Sequence, residues 1–291
     1  MRGLRITELG RPPEPAELPE PDGPTLEVEA AALNPIDRAV AAGRHYAGHP
    51  PLPFVPGCEA VGLLEGRRVW AFSDGLGLQR DGTYAERVRV SPDAVADVPD
   101  GADPALACAL GIAGMAGWMP VASRAPVRPD DRVLVLGASG TVGTVAVQAA
   151  KLLGAAHVTA AGRDRAALER TGADEIVTLE DDFGEPTYVF DPLWGEPLRK
   201  AADAAAPGAR IVHLGQSAGP EATLTSAAVR GKQLELYGYS DFSVPRDVLA
   251  REYARLVSHA VAGEIRLDVE RVPLDRAAEA WDRKGKIVFV P

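Results

Sequence analysis

A glycine-rich turn between two apolar segments is the first feature of this chain that indicates chemistry. The run Val133–Leu136 is typical of a buried parallel strand, and the apolar positions after the turn predict a helix that Gly154 ends. Glycines at such a turn let the backbone approach a pyrophosphate, which the free N–H groups and positive dipole end of the helix bind. We therefore predict a dinucleotide site in which the pyrophosphate contacts Gly137, Ala138, Ser139, Gly140, Thr141, Val142 and Gly143.

The motif by itself is weak evidence for a dinucleotide site, and the strands and the helix around it strengthen that evidence. Ala138 stands at the first position of a G-x-G-x-x-G fingerprint, and Gly137 precedes it. A second strand, His157–Ala161, ends roughly 20 residues beyond the glycines, where the fingerprint requires one. The alternative is a turn whose glycines only let the helix and the strand pack closely.

The tip of that second strand favours one dinucleotide over the other. Enzymes that use NAD usually carry an acidic residue here to hold the ribose 2′-OH, whereas this chain has Gly162 and Arg163. An Arg binds a 2′-phosphate through a charge-assisted fork, and a carboxylate would repel it. We therefore predict that Gly162 and Arg163 bind the adenosine end of NADPH. The alternative for Arg163 is a solvated side chain beside a helix that Asp164 caps.

The opposite wall of this site should come from other strand ends of the same sheet. Ligands of doubly wound folds lie outside the carboxyl ends of the strands, so the residues that end and follow the strand Arg210–Leu214 should face the nicotinamide side. Two residues beyond the last strand, Leu234–Tyr239, should close over the ligand. The predicted contacts on this side are Leu214, Gly215, Gln216, Ser217, Phe242 and Ser243.

Two kinds of scaffold must position these residues. The first hundred residues hold short strand candidates between Gly, Pro and Asp turns, which indicates a small barrel-like β domain, and the Pro- and Glu-rich stretch 11–24 is expected to be a surface loop. After about Gly101 strands alternate with helices, which predicts a doubly wound parallel sheet. A final strand, Lys286–Val290, needs a sheet to join, and we expect it to return to the first domain. The chain is therefore predicted to be an α/β protein of two domains, in keeping with its 291 residues.

The composition disfavours two classes of partner. A net charge of −10 opposes non-specific binding to nucleic acid and to anionic lipid. The two cysteines provide no disulfide framework, and the N-terminus has no apolar secretory segment, so we expect a cytoplasmic protein. The uncharged run Ala105–Ala122 approaches the length of a membrane span, but its Gly and Pro residues suit a tightly packed interior segment.

Five motifs, in order, resemble the medium-chain dehydrogenase/reductase superfamily. They are Asn34-Pro35-Ile36-Asp37, LPFVPGCEAVG at 52–62, GTYAE at 82–86, the glycine turn and the closing GKIVFVP. The resemblance runs nearly from end to end and is greatest to the zinc-independent quinone oxidoreductases that include zeta-crystallin. It implies a GroES-like β-barrel catalytic domain, residues 1–102 and 246–291, and a Rossmann domain that binds NADP, residues 103–245.

The resemblance also suggests which residues act in the catalytic domain. Zinc-dependent members of the superfamily have a Cys where this chain has Asn34 and a His where it has Cys58, so we expect no metal. A catalytic zinc needs three protein ligands, and the alternative set is Cys58, His45 and Asp37. In related reductases a Tyr in this stretch faces the cleft, so Tyr46 and Asn34 are the predicted catalytic residues. The alternative for Tyr46 is a ring that packs under the loop.

The predicted function is NADPH-dependent reduction of quinones or α,β-unsaturated carbonyl compounds by hydride transfer without zinc. Enoyl-thioester reduction is the alternative within the superfamily, and the resemblance suggests a homodimer through the strand Leu234–Tyr239. A serine hydrolase is the alternative from another class, because Gly215-Gln216-Ser217-Ala218-Gly219 is formally a G-x-S-x-G motif with Ser217 as nucleophile. A non-catalytic binding protein is the third.

Overall fold

The computed structural model describes all 291 residues, which form two compact units. The first unit comprises Met1–Ala113, Pro245–Ala262 and Leu267–Pro291, and the second comprises Gly114–Val244 and Gly263–Arg266. The second unit therefore begins at residue 114, whereas the sequence predicted a domain that begins at residue 103.

The chain begins with a two-stranded antiparallel sheet. Strand β1 (Arg2–Arg5) pairs with β2 (Glu14–Glu17). Strand β2 lies within the stretch 11–24, and the expectation that this whole stretch is a surface loop was wrong. Pro15 is tolerated opposite Leu4 because β2 is an edge strand, where one missing N–H interrupts no further ladder.

The main sheet of the first unit has seven strands. Its first five are β3 (Thr25–Ala32), β4 (Glu59–Leu64), β5 (Arg67–Phe72), β6 (Arg87–Arg89) and β7 (Val95–Asp97), and helix α1 (Pro35–Ala41) lies between β3 and β4. All of these strand pairs are antiparallel. In β3, Leu26, Val28 and Ala30 alternate into the core, as the period of two in its sequence predicts. This mixed sheet stands where the sequence predicted a barrel-like domain.

A long apolar helical run, Pro104–Arg124, follows the sheet. It contains helices α2 (Pro104–Ala109) and α3 (Met115–Met119), and the Asp103 side chain caps α2 by accepting from Leu106 N at 2.9 Å. The run is long and apolar enough to span a membrane, but 78% of its apolar window is buried inside the protein. That burial is typical of a core helix, as the small residues and Pro120 predicted.

The second unit is a parallel α/β sheet. In chain order its elements are β8 (Arg132–Leu136), α4 (Thr141–Leu152), β9 (His157–Ala161), α5 (Arg165–Glu169), β10 (Glu175–Val177), β11 (Tyr188–Asp191), α6 (Gly195–Ala204), β12 (Arg210–His213) and β13 (Glu235–Gly238). All pairs are parallel, and the spatial order is β10-β9-β8-β11-β12-β13. The doubly wound sheet is confirmed, and its order reverses between β8 and β11, which is where such folds bind ligands.

The C-terminal segment returns to the first unit. Its elements are α7 (Arg246–Val261), β14 (Val269–Pro273), α8 (Ala277–Ala280) and β15 (Lys286–Val290). Strand β15 pairs antiparallel with β3, which confirms that the final strand joins the first sheet. The helix predicted over residues 275–283 is shorter, because a 3₁₀ turn precedes α8 and the chain leaves the helix before Gly285, whose φ is +95°.

Candidate functional site

The turn between β8 and α4 requires glycine at two positions. Gly137 has a φ of +65°, in the left-handed region that favours glycine. A Cβ on Gly143 would lie 2.5 Å from the carbonyl oxygen of Gly137 and 2.6 Å from Cα of Ala138, which are backbone atoms that cannot move aside. The predicted strand–turn–helix unit is therefore present, with backbone packed against backbone at its centre.

The N-terminus of α4 is open. Gly140 is its N-cap residue, and no side chain caps the helix. The first N–H groups of a helix have no partner within the helix, which here leaves those of Thr141, Val142 and Gly143 available. A Cβ on Gly140 would meet nothing nearer than the Gly137 carbonyl oxygen at 3.5 Å, so the outer side of the turn has space. These residues fit a pyrophosphate group, with N–H donors and a positive helix end facing it.

The tip of β9 presents an unpaired cation. Arg163 is exposed and makes no hydrogen bond or ion pair within the protein. The next residue, Asp164, caps α5 by accepting from Ala167 N at 3.0 Å, so its carboxylate is engaged in the helix. A Cβ on Gly162 would lie 3.1 Å from Ser139 Oγ, so the two strand ends meet there. Arg163 is thus available for a phosphate at the end of β9.

The loop after β12 packs tightly against the loop after β11. A Cβ on Gly215 would lie 2.6 Å from the carbonyl oxygen of Pro192, and Leu214 N donates to Asp191 O at 3.0 Å. Gln216 and Ser217 are exposed. Ser217 Oγ donates to the Pro192 carbonyl at 3.3 Å and to no histidine, which is not the arrangement of an activated nucleophile.

Phe242 and Ser243 lie in a 3₁₀ turn beyond the carboxyl end of β13, and both are exposed. Strand β13 is the outermost strand of the sheet, three places from β8. They share the carboxyl edge with the glycine turn, and their contact with a cofactor stays a prediction.

Four polar side chains are buried together in the first unit, and we call them the polar cluster: Asn34, Asp37, Glu59 and Lys286. Asn34 Nδ2 donates to Glu59 Oε1 at 2.7 Å, and Asn34 Oδ1 accepts from Lys286 Nζ at 2.7 Å. Lys286 Nζ lies 3.9 Å from Glu59 Oε1. A longer bond, 3.3 Å, joins Asn34 Nδ2 to Ala32 O. The Asn34 amide is therefore fully engaged within the protein, and its predicted contact with substrate or cofactor stays a prediction.

Glu59 is the acceptor at the centre of the polar cluster. Its Oε2 accepts from Trp70 Nε1 at 2.8 Å and from Ile112 N at 2.7 Å. The helical run bends at Gly111, where a Cβ would lie 1.9 Å from Glu59 Oε2. Glycine at this position is what lets the backbone come close enough for Ile112 to donate.

Asp37 joins α1 to the start of β4. Its Oδ2 accepts from Asn34 N at 2.7 Å, which caps α1, and its Oδ1 accepts from Cys58 N at 2.9 Å. Burial raises the pKa of Asp37 above that of a free Asp, and burial likewise raises the pKa of Glu59. Burial, with Asp37 beside it, raises the pKa of the Cys58 thiol well above its usual value. The cluster disfavours further negative charge.

Tyr46 lies outside this cluster. It follows α1, its side chain is 92% exposed, and its ring lies 4.4 Å from the ring of His45. Its hydroxyl has no hydrogen-bond partner in the protein. The two predicted catalytic residues therefore differ in their surroundings. Asn34 is buried and its amide is hydrogen-bonded within the protein, whereas Tyr46 is exposed and its hydroxyl has no partner.

The residues at the position of a catalytic metal do not suit one. No group of three or more His, Cys, Asp or Glu side chains is placed to hold a metal ion. At the position where zinc-dependent members have a Cys, Asn34 offers an amide, and the ammonium of Lys286 donates to its Oδ1 at 2.7 Å.

Sequence reasoning missed Glu59 and Lys286 as part of this region. Both stand at the first position of an apolar strand, EAVGLL and KIVFV, where a charge is easily taken for a solvated strand end. Their pairing follows from the positions of β4 and β15 on the two sides of β3.

Comparisons with known proteins add to this geometry. No protein-family model matches the chain. A phenolphthiocerol/phthiocerol polyketide synthase of Mycobacterium tuberculosis is 33% identical over 223 residues, which are 68% of this chain and 10% of that protein. The chain thus spans about a tenth of that relative's length. A quinone oxidoreductase of Lama guanicoe is 26% identical over 327 aligned positions, covering 100% of this chain and 97% of the relative.

Solved structures share the fold over the full chain. An NAD-dependent alcohol dehydrogenase superposes with a TM-score of 0.88 and 28% identity, covering 100% of both chains. The yhdH oxidoreductase from Salmonella enterica in complex with NADP superposes with a TM-score of 0.84 and 24% identity, again covering 100% of both chains. The second likeness shows the fold alone.

Proposed function

Because the chain belongs to the medium-chain dehydrogenase/reductase superfamily, in its quinone oxidoreductase branch, we propose that it is an NADPH-dependent reductase of quinones or α,β-unsaturated carbonyl compounds. The single observation that carries the cofactor is the unpaired Arg163 at the tip of β9, beside a glycine turn that fits a pyrophosphate. A free guanidinium there favours a ligand with a 2′-phosphate. We assign cofactor binding to the second unit and substrate binding to the first.

When bound, NADPH would supply the hydride that reduces the conjugated acceptor. The chain's own task is to stabilise the negative charge that develops on the substrate oxygen. We assign this task to Tyr46, whose hydroxyl is exposed and free to donate. Asn34 holds β3, β4 and β15 together through Glu59 and Lys286, which keeps the segment before α1 in place. We propose chemistry without zinc, since no three His, Cys, Asp or Glu side chains are placed to hold a metal ion.

Enoyl-thioester reduction is the second candidate, and one observation favours it. The 223-residue segment of the polyketide synthase is more similar in sequence than the full-length quinone oxidoreductase, at 33% against 26% identity. Both reactions use the same hydride and the same oxyanion. Parallel assays of NADPH consumption with a quinone, an enone and an enoyl thioester would rank them by kcat/KM.

The cofactor is tested by calorimetric titration with NADPH and with NADH. A hydrogen bond to a charged group contributes about 1.5–3 kcal/mol, so Arg163→Ala should weaken NADPH binding by about tenfold or more and leave NADH binding unchanged. Arg165→Ala is the matched control, because Arg165 is also exposed but pairs with Glu169 at 3.3 Å. Tighter binding of NADH than of NADPH would reject the assignment of NADPH as the cofactor. Absence of binding by either nucleotide would reject the proposal that the protein is a reductase.

Two further observations support proposals for the assembly and for the location of the protein in the cell. Strand β13 is the outermost strand of the parallel sheet, and Leu236 on it is 50% exposed. We propose a homodimer through this edge, because an exposed strand edge readily pairs with another. Leu236→Lys should shift the protein to the elution volume of a monomer in size-exclusion chromatography. Both cysteines are free thiols, in keeping with the reducing cytoplasm that we propose as its location.

A further inference from the structure

A buried carboxylate ends strand β11. Asp191 is fully buried, and its Oδ1 accepts from Leu193 N at 3.0 Å and from Trp194 N at 2.9 Å. Its Oδ2 lies 2.9 Å from Nδ1 of His213, the last residue of β12. The parallel register places these two residues directly opposite each other. Three donors therefore hold one carboxylate at the carboxyl end of the sheet.

This carboxylate orients an imidazole whose other nitrogen is free. The ring of His213 packs on Trp194 with ring centroids 4.0 Å apart, and 27% of its side chain stays exposed. No protein group bonds to His213 Nε2. Because the Asp191 carboxylate accepts the Nδ1–H, the neutral imidazole carries its proton on Nδ1 and presents the lone pair of Nε2 outward. In this neutral tautomer, Nε2 of His213 is an oriented hydrogen-bond acceptor.

The loop that follows Asp191 is strained and lies at the carboxyl edge of the sheet. Trp194 has φ +60° and ψ −162°, a region that only glycine adopts easily, and its N–H is held by Asp191. The same loop lies against the glycine turn, since a Cβ on Gly137 would lie 3.0 Å from Leu193 Cδ2, and against the loop after β12, since a Cβ on Gly215 would lie 2.6 Å from the Pro192 carbonyl oxygen. Backbone strain of this kind persists only where the surroundings impose it, and it concentrates at binding sites.

The order of strands shows which part of a dinucleotide lies near His213. Arg163 stands at the tip of β9, one strand to one side of β8, and β11 and β12 lie on the other side. Strands are about 4.8 Å apart, so His213 is about two strand spacings from the glycine turn, in the direction away from Arg163. If the 2′-phosphate binds Arg163 and the pyrophosphate binds the turn, the nicotinamide nucleoside extends toward β11 and β12.

We propose that His213 Nε2 accepts a hydrogen bond from the nicotinamide nucleoside of NADPH, and that Asp191 is the residue that positions it. This inference rests on the proposed cofactor. The donors on that part of the ligand are the ribose hydroxyls and the carboxamide N–H.

The experiment compares NADPH with adenosine 2′,5′-bisphosphate, which carries the 2′-phosphate but no nicotinamide nucleoside, by calorimetry. In His213→Asn the amide can still donate to Asp191 while nothing remains at the position of Nε2. One neutral hydrogen bond corresponds to about three- to tenfold in Kd, so NADPH should bind more weakly by that factor and the bisphosphate should bind unchanged. His213→Gln, whose amide reaches the position of Nε2, should recover part of the NADPH affinity.

Asp191→Asn tests the positioning role. Its oxygen would accept from Leu193 N and Trp194 N, which turns the amide N–H₂ toward His213 and forces the proton of the imidazole onto Nε2. We expect this variant to lose NADPH affinity while it keeps affinity for the bisphosphate. A change confined to overall stability would weaken both ligands equally.

The two proposals fail in different ways. Wild-type protein that binds the bisphosphate and NADPH, with His213→Asn equal to wild type, overturns the role of His213 and leaves the cofactor in place. Equal weakening of both ligands in His213→Asn also overturns it, whereas wild-type protein that binds neither ligand overturns both proposals.

The 3-acetylpyridine analogue of NADPH, which lacks the carboxamide N–H, identifies the group that donates to His213. If His213→Asn still weakens binding of this analogue, the donor is a ribose hydroxyl. If His213→Asn no longer weakens its binding, the donor is the carboxamide.

Discussion

The polar cluster of the first unit and the carboxyl edge of the second differ in how their polar groups are satisfied. In the cluster, Asn34, Glu59 and Lys286 are buried and bond to one another and to neighbouring protein groups. At the carboxyl edge, the side chain of Arg163 and Nε2 of His213 have no partner in the protein. One region is closed, and the other presents free donors and acceptors.

The difference separates scaffold from binding surface. Unpaired polar groups are costly when buried, so a protein keeps them where water or a ligand reaches them. A satisfied buried network holds strands in register but has nothing left with which to bind a ligand. Variants of the cluster should therefore change stability, and variants of the edge should change affinity. Four predictions test this contrast, from the largest expected effect to the smallest.

The largest effect is expected from removal of the Lys286 ammonium. Lys286→Met leaves Glu59 buried without its counter-charge, which costs about 3–5 kcal/mol for a buried pair. Urea denaturation measures the free energy of unfolding. Lys151→Met is the control, because Lys151 pairs with Asp174 on the surface, where loss of a pair costs about 0–1 kcal/mol. Equal losses in the two variants would mean that the cluster is open to water.

The double variant Glu59→Gln/Lys286→Met sharpens this result. It removes both charges, so it should unfold with less loss of free energy than the sum of the two single variants, which is the sign of direct coupling. Additive losses would show that Glu59 and Lys286 act separately.

The next effect concerns Tyr46, the exposed exception in the first unit. A positioned proton or hydrogen-bond donor contributes about 10²–10⁴ in rate, so Tyr46→Phe should lower kcat by about a hundredfold. Because the side chain is exposed, the free energy of unfolding should not change. Tyr46→Ala is the matched variant. If Tyr46→Phe and Tyr46→Ala lose kcat equally, the effect is due to the hydroxyl and not to the ring. An unchanged kcat in Tyr46→Phe rejects Tyr46 as the donor.

A smaller effect is expected at the glycine turn. Gly140→Ala adds a methyl group that meets no protein atom nearer than 3.5 Å, so stability should stay the same, but the methyl would occupy the open side of the turn, where we propose that the pyrophosphate binds. We expect a roughly tenfold weaker Kd for NADPH, equal to about 1.4 kcal/mol. Gly231→Ala is the control, because its Cβ would meet nothing within 4 Å and it lies far along the chain from the turn. Unchanged affinity of Gly140→Ala for NADPH would contradict the proposal that the pyrophosphate binds at this turn.

The last prediction is that the two cysteine thiols do not react in the native protein. Cys58 and Cys108 are buried, and burial raises the pKa of both thiols well above their usual value. Since only the thiolate reacts, a raised pKa lowers reactivity at every pH below it, and neither thiol should react with a disulfide reagent at about pH 8 in the native protein. Both should react in denaturant. Rapid native labelling would falsify the view that the region around Cys58 is closed.

Much of the second unit could be predicted from consecutive residues. The strand, turn and helix around Gly137, the strand His157–Ala161 and the free cation at its end all follow from local pattern. The final strand could also be predicted, because an apolar run without a neighbour needs a sheet. Local pattern failed where pairing decided the outcome, as in strand β2, which lies in a Pro- and Glu-rich stretch typical of a loop but pairs with β1.

The sequence by itself determined the elements and the dinucleotide turn, because strand period, helix period and glycine spacing act within a few neighbouring residues. Only the tertiary structure decided that Lys286 meets Asn34, 252 positions earlier, and that Asp191 orients His213. It also decided that Asn34 is closed off while Tyr46 is exposed. The physical reason is that strand order and register choose which side chains face each other, and that choice depends on burial across the whole sheet.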